Sequence, residues 1–215
     1  MLRASVQETI KENNCNFCIH MQASVGDYLN IGYVRKSPTD GSAEARTRLL
    51  NMMRMRLRNR CIVSHVFLSP SCTSSSPLLQ RDSQERHELG DGNATDMSKF
   101  ISAATKHVRL YVIDYASLTN DPKDLRTTLG IYKQIKEVAI DHGHEIEVLD
   151  RHALLHQNKV NKFKCRTKCI PRCSIREYDV TYKCRAGLTY YMGSLLAISV
   201  LVRNKERTRE RTRQD

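Results

Sequence analysis

Val108-Arg-Leu-Tyr-Val-Ile-Asp114 is the stretch from which the architecture is read. Its apolar density fits a strand covered on both faces inside a parallel sheet better than a strand with one wet side. Upstream, Ile31–Lys36 (IGYVRK) alternates β-branched or aromatic residues with small or charged ones, and Cys61–Leu68 (CIVSHVFL) reads as another strand. Between them Ser37-Pro-Thr-Asp-Gly-Ser forms a turn, with Ser42 a candidate N-cap and Glu44 in the first helical turn. Ala45, Leu49, Leu50, Met53 and Leu57 then recur at helical spacing to about Asn59, and arginines fill much of the remainder. Ser69–Asn93 is a loop rich in Ser, Gly and charge. Thr95–Thr105 reads as a helix capped by Thr95, and Asn120-Asp-Pro opens a helix to about Lys133. Glu137–Ile140 and Glu145–Leu149 are short strands around a His-Gly turn. This alternation predicts an α/β domain over residues 30–150, an open, mostly parallel sheet with helices on both faces.

The flanks differ in character. Residues 1–29 are polar, show no clear periodicity and read as an extension. After Asp150, His152–Val160 is a candidate helix, and 151–202 is a basic, Cys-bearing segment that includes 17 uncharged residues, Ala186–Val202. Residues 203–215 (RNKERTRERTRQD) are expected to be disordered unless bound. With 215 residues, 40% hydrophobic and 27% charged, the chain has enough apolar side chains for a packed core, which excludes wholesale disorder. The absence of Trp and the presence of only 5 Pro exclude a Pro-rich scaffold. Charge is unevenly distributed. Residues 151–215 hold 16 Lys+Arg against 5 Asp+Glu, whereas the first 150 hold 19 against 18. That asymmetry points to a near-neutral body with a basic arm for a polyanion, either nucleic acid or an anionic membrane surface.

In an open parallel sheet, ligands bind beyond the carboxyl ends of the strands. Three predicted strands bring Arg35-Lys36-Ser37, Ser69-Pro-Ser71-Cys72 and Asp114-Tyr115-Ala116-Ser117 to that edge. Ile31-Gly-Tyr-Val-Arg-Lys-Ser37 resembles the Tyr-x-Arg-x-Ser signature of serine recombinases, the resolvase/invertase family. Two further stretches fall in family order. His65–Leu68 with the Ser-rich loop and Arg81 is similar to that family's second strand and its mobile arginine-bearing loop. Leu110–Asp114 with Leu118–Leu125 is similar to the strand, Asp and helix that carry its second motif. The resemblance implies a resolvase-like, transposon-derived domain for metal-free phosphoryl transfer and DNA recombination. Ser37 would be the nucleophile, and Arg35, Asp114 and Arg81 would be catalytic. Clustered guanidinium groups would stabilise the developing charge. The second motif departs from Asp-Arg-x-x-Arg, because Tyr115 and Leu118 stand at the arginine positions, so the expected activity is impaired. The family's long dimer-building helix has no counterpart of that length in His152–Val160. A homo-oligomer is nevertheless part of the resemblance.

The expected DNA contacts are Arg46 and Arg48 with Lys162, Lys164, Arg166, Lys168, Arg172, Arg207, Arg209 and Arg211. Cys165, Cys169, Cys173 and Cys184 offer the four thiolates of a structural zinc site, although the usual pairs at two-residue spacing are absent. Otherwise no cofactor is expected. Cys15-x2-Cys18-x-His20 has better local spacing but no fourth ligand nearby, and the remaining His pairs read as surface residues. The opening MLRASVQETIKENN contains no apolar leader segment, so an intracellular and reduced setting is expected, with the Arg-rich end as a nuclear address in a eukaryote. Two other readings remain open. One is a non-enzymatic nucleic-acid binder acting through the basic C-terminal segment. The other is a tail-anchored membrane protein using Ala186–Val202, whose length lies at the short limit for a span.

Overall fold

The computed structural model describes residues 2–24, 26–38, 42–81, 88–165, 182–183 and 189–190. A five-stranded sheet has the order β2-β1-β3-β4-β5, with β1 Tyr28–Arg35, β2 His65–Ser69, β3 His107–Val112, β4 Ile135–Asp141 and β5 Ile146–Asp150. The first four strands are parallel, and β5 runs antiparallel to β4. The sheet is therefore mixed but mostly parallel, as the apolar strand runs predict. β3 lies at its centre, with Ile31 level with Leu110 on one side and Val138 level with Leu110 on the other.

Alternation along the strands divides the core into two layers. Ile31, Tyr33, Leu110, Val112 and Val138 pack beneath α3 (Ala94–Ala103) and α5 (Pro122–Ile131), through Met97, Ile101, Leu125 and Leu129. On the opposite face Val34, Val66, Leu68, Tyr111 and Ala139 meet α1 (Leu2–Ala23) and α2 (Ala43–Cys61), through Phe17, Met21, Leu50, Met53 and Leu57. α2 begins at Ser42, whose hydroxyl accepts from the Ala45 N–H, and ends where Ile62 turns left-handed at φ 51°. Gly32 lets this helix sit close to β1. A Cβ there would lie 3.0 Å from Leu57 Cδ1 and 3.3 Å from Val66 Cγ2. Gly32→Val is expected to destabilise the fold by about 1–3 kcal/mol through overpacking. The readout is a lower urea midpoint at unchanged slope.

Several boundaries differ from the sequence reading. Most of the polar N-terminal extension is a helix that packs on the sheet. Leu2–Ala23 is helical, and the Phe17 ring meets Tyr111 edge-on at 6.2 Å between centroids. Cys61 closes α2 instead of opening a strand, because it extends the buried ridge of Leu50, Met53 and Leu57 by one more turn. α3 is capped by Asn93 in a reciprocal box with Asp96, while the Thr95 hydroxyl donates to the Arg81 carbonyl. A short helix, α4 (Tyr115–Leu118), follows β3. The expected helix His152–Val160 is instead α6 (Arg151–Leu155) followed by a 3₁₀ helix, Lys159–Phe163. The boundary at 150 also moves. Leu154, Val160 and Phe163 complete the α5 side of the core, so residues through Cys165 belong with the body. The chain divides into two units, Met1–Pro171 and Arg172–Asp215. In the second, the described residues form one antiparallel pair, β6 (Tyr182–Lys183) with β7 (Thr189–Tyr190).

Candidate functional site at the carboxyl rim of the sheet

The chain leaves β1 to reach β2 on one side, then crosses back to β3 on the other. Successive crossovers therefore diverge about β1, the geometry that opens a crevice beyond the strand ends. Arg35, the last residue of β1, is 6% exposed. Its Nη1 donates to Ser37 Oγ at 2.9 Å and to the Cys72 carbonyl at 2.6 Å. Nε and Nη2 donate to the Ala116 carbonyl at 3.2 and 3.0 Å. One guanidinium thus ties together the segments leaving β1, β2 and β3. Burial lowers the Arg35 pKa from its ordinary value; the Arg81 charge adds to the fall, and Cys72, Tyr33 and Asp114 oppose it.

Asp114 stands at the end of β3 and caps α4. Its Oδ1 accepts from the Ser117 N–H at 2.6 Å and from the Ser117 hydroxyl at 2.7 Å. Ser37 and the Asp114–Ser117 turn are therefore brought together through Arg35, across the adjacent parallel strands β1 and β3.

Arg81, which the resemblance puts on a mobile loop, is buried in the structure. It is 2% exposed and held on all sides. Nη1 donates to the Leu118 carbonyl at 2.6 Å and to the Tyr33 hydroxyl at 3.2 Å, Nε to the Ser76 carbonyl at 2.9 Å, and Nη2 to the Ser74 carbonyl at 3.2 Å. It braces the Ser-rich loop against the end of α4. The Tyr33 hydroxyl also shares a 2.7 Å hydrogen bond with Ser69 Oγ, and burial pushes its pKa up. Tyr33, Ser69, Cys72 and Ser117, which the sequence places in the signature or on the rim segments without a catalytic role, are parts of this network. Tyr33 and Arg35, two residues apart on one strand, share a face.

The other expected site residues are dispersed. Arg46 and Arg48 lie in the first turns of α2, Arg46 half-buried and Arg48 exposed. Lys162 forms an ion pair with Glu147, which also accepts from the Tyr115 hydroxyl and faces His142 Nε2 at 3.4 Å. Burial raises a carboxyl, but the bonds from Lys162 and Tyr115 hold Glu147 below its usual range. Lys162 therefore pins the 3₁₀ helix to β5, while Lys164 is exposed. Cys165 is half-buried, with Sγ 3.0 Å from the Phe163 carbonyl, and burial raises its thiol pKa. Arg166, Lys168, Arg172, Arg207, Arg209, Arg211, Cys169, Cys173 and Cys184 lie outside the described residues, as does Ala186–Val202 apart from the two residues of β7. Among the described residues no group of three or more His, Cys, Asp or Glu side chains is placed to hold a metal ion. Among the same residues no helix is long and apolar enough to cross a membrane. His20 of the Cys15–His20 cluster faces Glu137 at 3.2 Å and the buried Arg109.

Chemically, the rim offers a serine hydroxyl accepting from a guanidinium, next to a capping carboxylate. It has little spare donor capacity. Of the five N–H groups of an arginine, four are committed to protein acceptors or Ser37 in Arg35 and four in Arg81. Compared with known proteins, the chain matches no family model, no curated protein and no solved structure.

Proposed function

We propose that the chain is a divergent serine-recombinase-like domain that engages DNA and whose strand-exchange chemistry is impaired. The observation that carries this reading is the Arg35 bridge between Ser37 and the turn after Asp114, at the point where the crossovers diverge. In such a reaction the Ser37 Oγ–P bond replaces a P–O bond of the DNA backbone. The phosphoester energy is conserved, and no metal is required. Arg35 orients the hydroxyl and stabilises negative charge on it. The impairment follows from two features. Tyr115 and Leu118 stand where the family's second motif has arginines, and four of the five N–H groups of Arg35 and of Arg81 are already taken by described residues. In phosphoryl transfer one supplied arginine is worth on the order of 10³–10⁵ in rate. DNA as partner, a homo-oligomer and a nuclear address in the Arg-rich end belong to the same reading.

The test uses duplex DNA carrying a nick, which traps a covalent serine adduct. The wild type is expected to bind the duplex with steep salt dependence but to form only a trace of adduct, and Ser37→Ala is expected to remove the trace. Adduct of equal amount in wild type and Ser37→Ala would overturn the assignment of the nucleophile, and failure to bind duplex at low salt would overturn the reading. The excess of 16 Lys+Arg over 5 Asp+Glu in 151–215 favours a second reading, a non-enzymatic nucleic-acid binder. Under that reading, neutralising the arginines of 203–213 abolishes binding and Ser37→Ala changes nothing.

A further inference from the structure

The two edges of the sheet end differently. At β2 the chain closes the edge itself. The Asp91 N–H donates to the Val66 carbonyl, the Leu68 N–H to the Gly92 carbonyl, and the Val66 N–H to the Asp91 carboxylate at 2.7 Å. The other edge is β5, which pairs with β4 alone. Its open side follows from the ladder. The His142 N–H donates to the Glu145 carbonyl at 3.0 Å across the turn. Bonded and non-bonded pairs alternate between antiparallel strands, so Ile140 with Glu147 and Val138 with Leu149 are the bonded pairs. The N–H and C=O groups of Ile146 and Val148, with the Asp150 N–H, therefore face away from β4. The Asp150 carbonyl is taken by α6, which this residue caps. Among the described residues no backbone group outside β4 pairs with β5. Soluble proteins usually blunt such an edge with Pro, Lys, a bulge or a cover. β5 (Ile-Glu-Val-Leu-Asp) has neither Pro nor Lys and keeps an unbroken register against β4. Ile146 and Val148 are half-buried on the α1 face, beside a groove of about 280 Å³ that Asn13, Phe17 and His20 also line.

We propose that β5 pairs with β5 of a second copy, antiparallel about a two-fold axis through Val148, so that the two sheets become continuous. In this register Val148 meets the partner's Val148 and both exchange their N–H and C=O bonds. Each Asp150 N–H donates to the Ile146 carbonyl across the axis. Glu147 lies beside the partner's Leu149, and Glu145 lies level with the partner's Arg151, so opposite charges meet and like charges do not. Moving the axis to residue 147 would set Glu147 against the partner's Glu147. Moving it to residue 149 would call on the Asp150 carbonyl that α6 uses. The strand is thus complementary to itself in one register, the condition for an isologous interface. An unrelated extended peptide would satisfy the backbone groups, but the match of Glu145 with Arg151 needs this sequence on both sides. The pairing stands on the sheet edge, apart from the rim chemistry, and gives the homo-oligomer of the reading above a definite surface.

The test is sedimentation velocity of the full chain without DNA. A short edge pairing belongs to the weak class of interfaces, so the wild type is expected to be dimeric at about 100 μM and to dissociate near 1 μM. Val148→Lys and Val148→Glu each set like charges on the axis and are expected to weaken association about tenfold or more. An equimolar mixture of the two variants is expected to restore it as a heterodimer. Thermal melting checks that both variants fold. Hydrogen exchange of the wild type gives a readout that needs no variant, because the amides of 146–150 should gain protection with concentration while those of β2 stay constant. Any of four results overturns the pairing: a dimer that persists in each variant alone, a mixture no more associated than its components, a wild type still monomeric at about 100 μM, or protection of 146–150 that ignores concentration. None of these readouts involves DNA, so the recombinase reading stands or falls separately.

Discussion

Arg81→Ala is expected to cost the fold about 3–5 kcal/mol, a large fraction of the stability of a domain this size. The reason is the number of acceptors that depend on one side chain. The carbonyls of Ser74, Ser76 and Leu118 and the hydroxyl of Tyr33 all receive from this guanidinium, which is 2% exposed. A buried polar group left without its partner costs about 1–3 kcal/mol, and water entering the space vacated by the side chain recovers part of that. Arg81→Lys is expected to restore less than half of the loss. A single ammonium cannot span the Ser-rich loop on one side and the end of α4 on the other, whereas the planar fork does. Guanidinium chloride unfolding followed by circular dichroism reads both variants. A midpoint for Arg81→Ala within error of wild type would show that Arg81 is dispensable to the fold and return it to the pool of residues available to a ligand.

The contrast between Arg81 and Arg35 shows what the sequence carried and what it did not. Arg35 and Ser37 are two residues apart at the end of an alternating apolar run, so their meeting at the strand end was legible. Three of the acceptors of Arg81 are main-chain carbonyls, two in its own Ser-rich loop and one at the end of α4, and no side-chain pattern signals a carbonyl. The strands were legible for the same reason as Arg35. The apolar density of β3 reflects burial directly, whereas in β1 Ile31 to Arg35 are all buried although apolar residues alternate with small or charged ones. α1 was missed because Phe17 and Met21 give it a narrow apolar stripe among polar residues, and because Asn14, 7% exposed, is buried by bonding back to the Ile10 carbonyl. The buried charges were missed as well. Arg109, Glu137 and Asp141 sit on strands at positions where a charge would ordinarily indicate the solvent face, but ion pairs cover them inside the α1–α2 layer.

Asp141→Asn tests that buried pairing, and it is expected to destabilise the fold by about 3–5 kcal/mol, the usual effect of removing one partner from a buried ion cluster. Asp141 is 0% exposed at the end of β4. Its Oδ2 accepts from Arg56 Nε at 2.7 Å and Arg60 Nε at 3.1 Å, and Oδ1 accepts from the Gly143 N–H at 2.9 Å. The same arginines donate to the Asp141 and Gly143 carbonyls, so the carboxylate fastens α2 to the β4–β5 turn. An amide keeps the shape but leaves two largely buried guanidinium groups without their counter-charge. Acid should reproduce part of the effect. Burial raises the Asp141 pKa, but the hydrogen bond from Arg56 and the charges of Arg60 and Arg56 outweigh it and hold the carboxyl below its ordinary value. Glu137 is likewise lowered, by Arg109 and His20 against the opposing effect of burial. A carboxylate with a depressed folded-state pKa contributes stability that is complete above its unfolded pKa of about 4, and the contribution is lost as pH falls through the folded value. The denaturation midpoint of the wild type should therefore decline on acidification below about pH 5. Asp141→Asn should start lower and decline less, keeping only the part due to Glu137 and other carboxylates. Parallel declines in the two proteins would mean that the Asp141 carboxylate is not what the arginines of α2 hold in solution, and would detach α2 from the β4–β5 turn as a source of acid sensitivity.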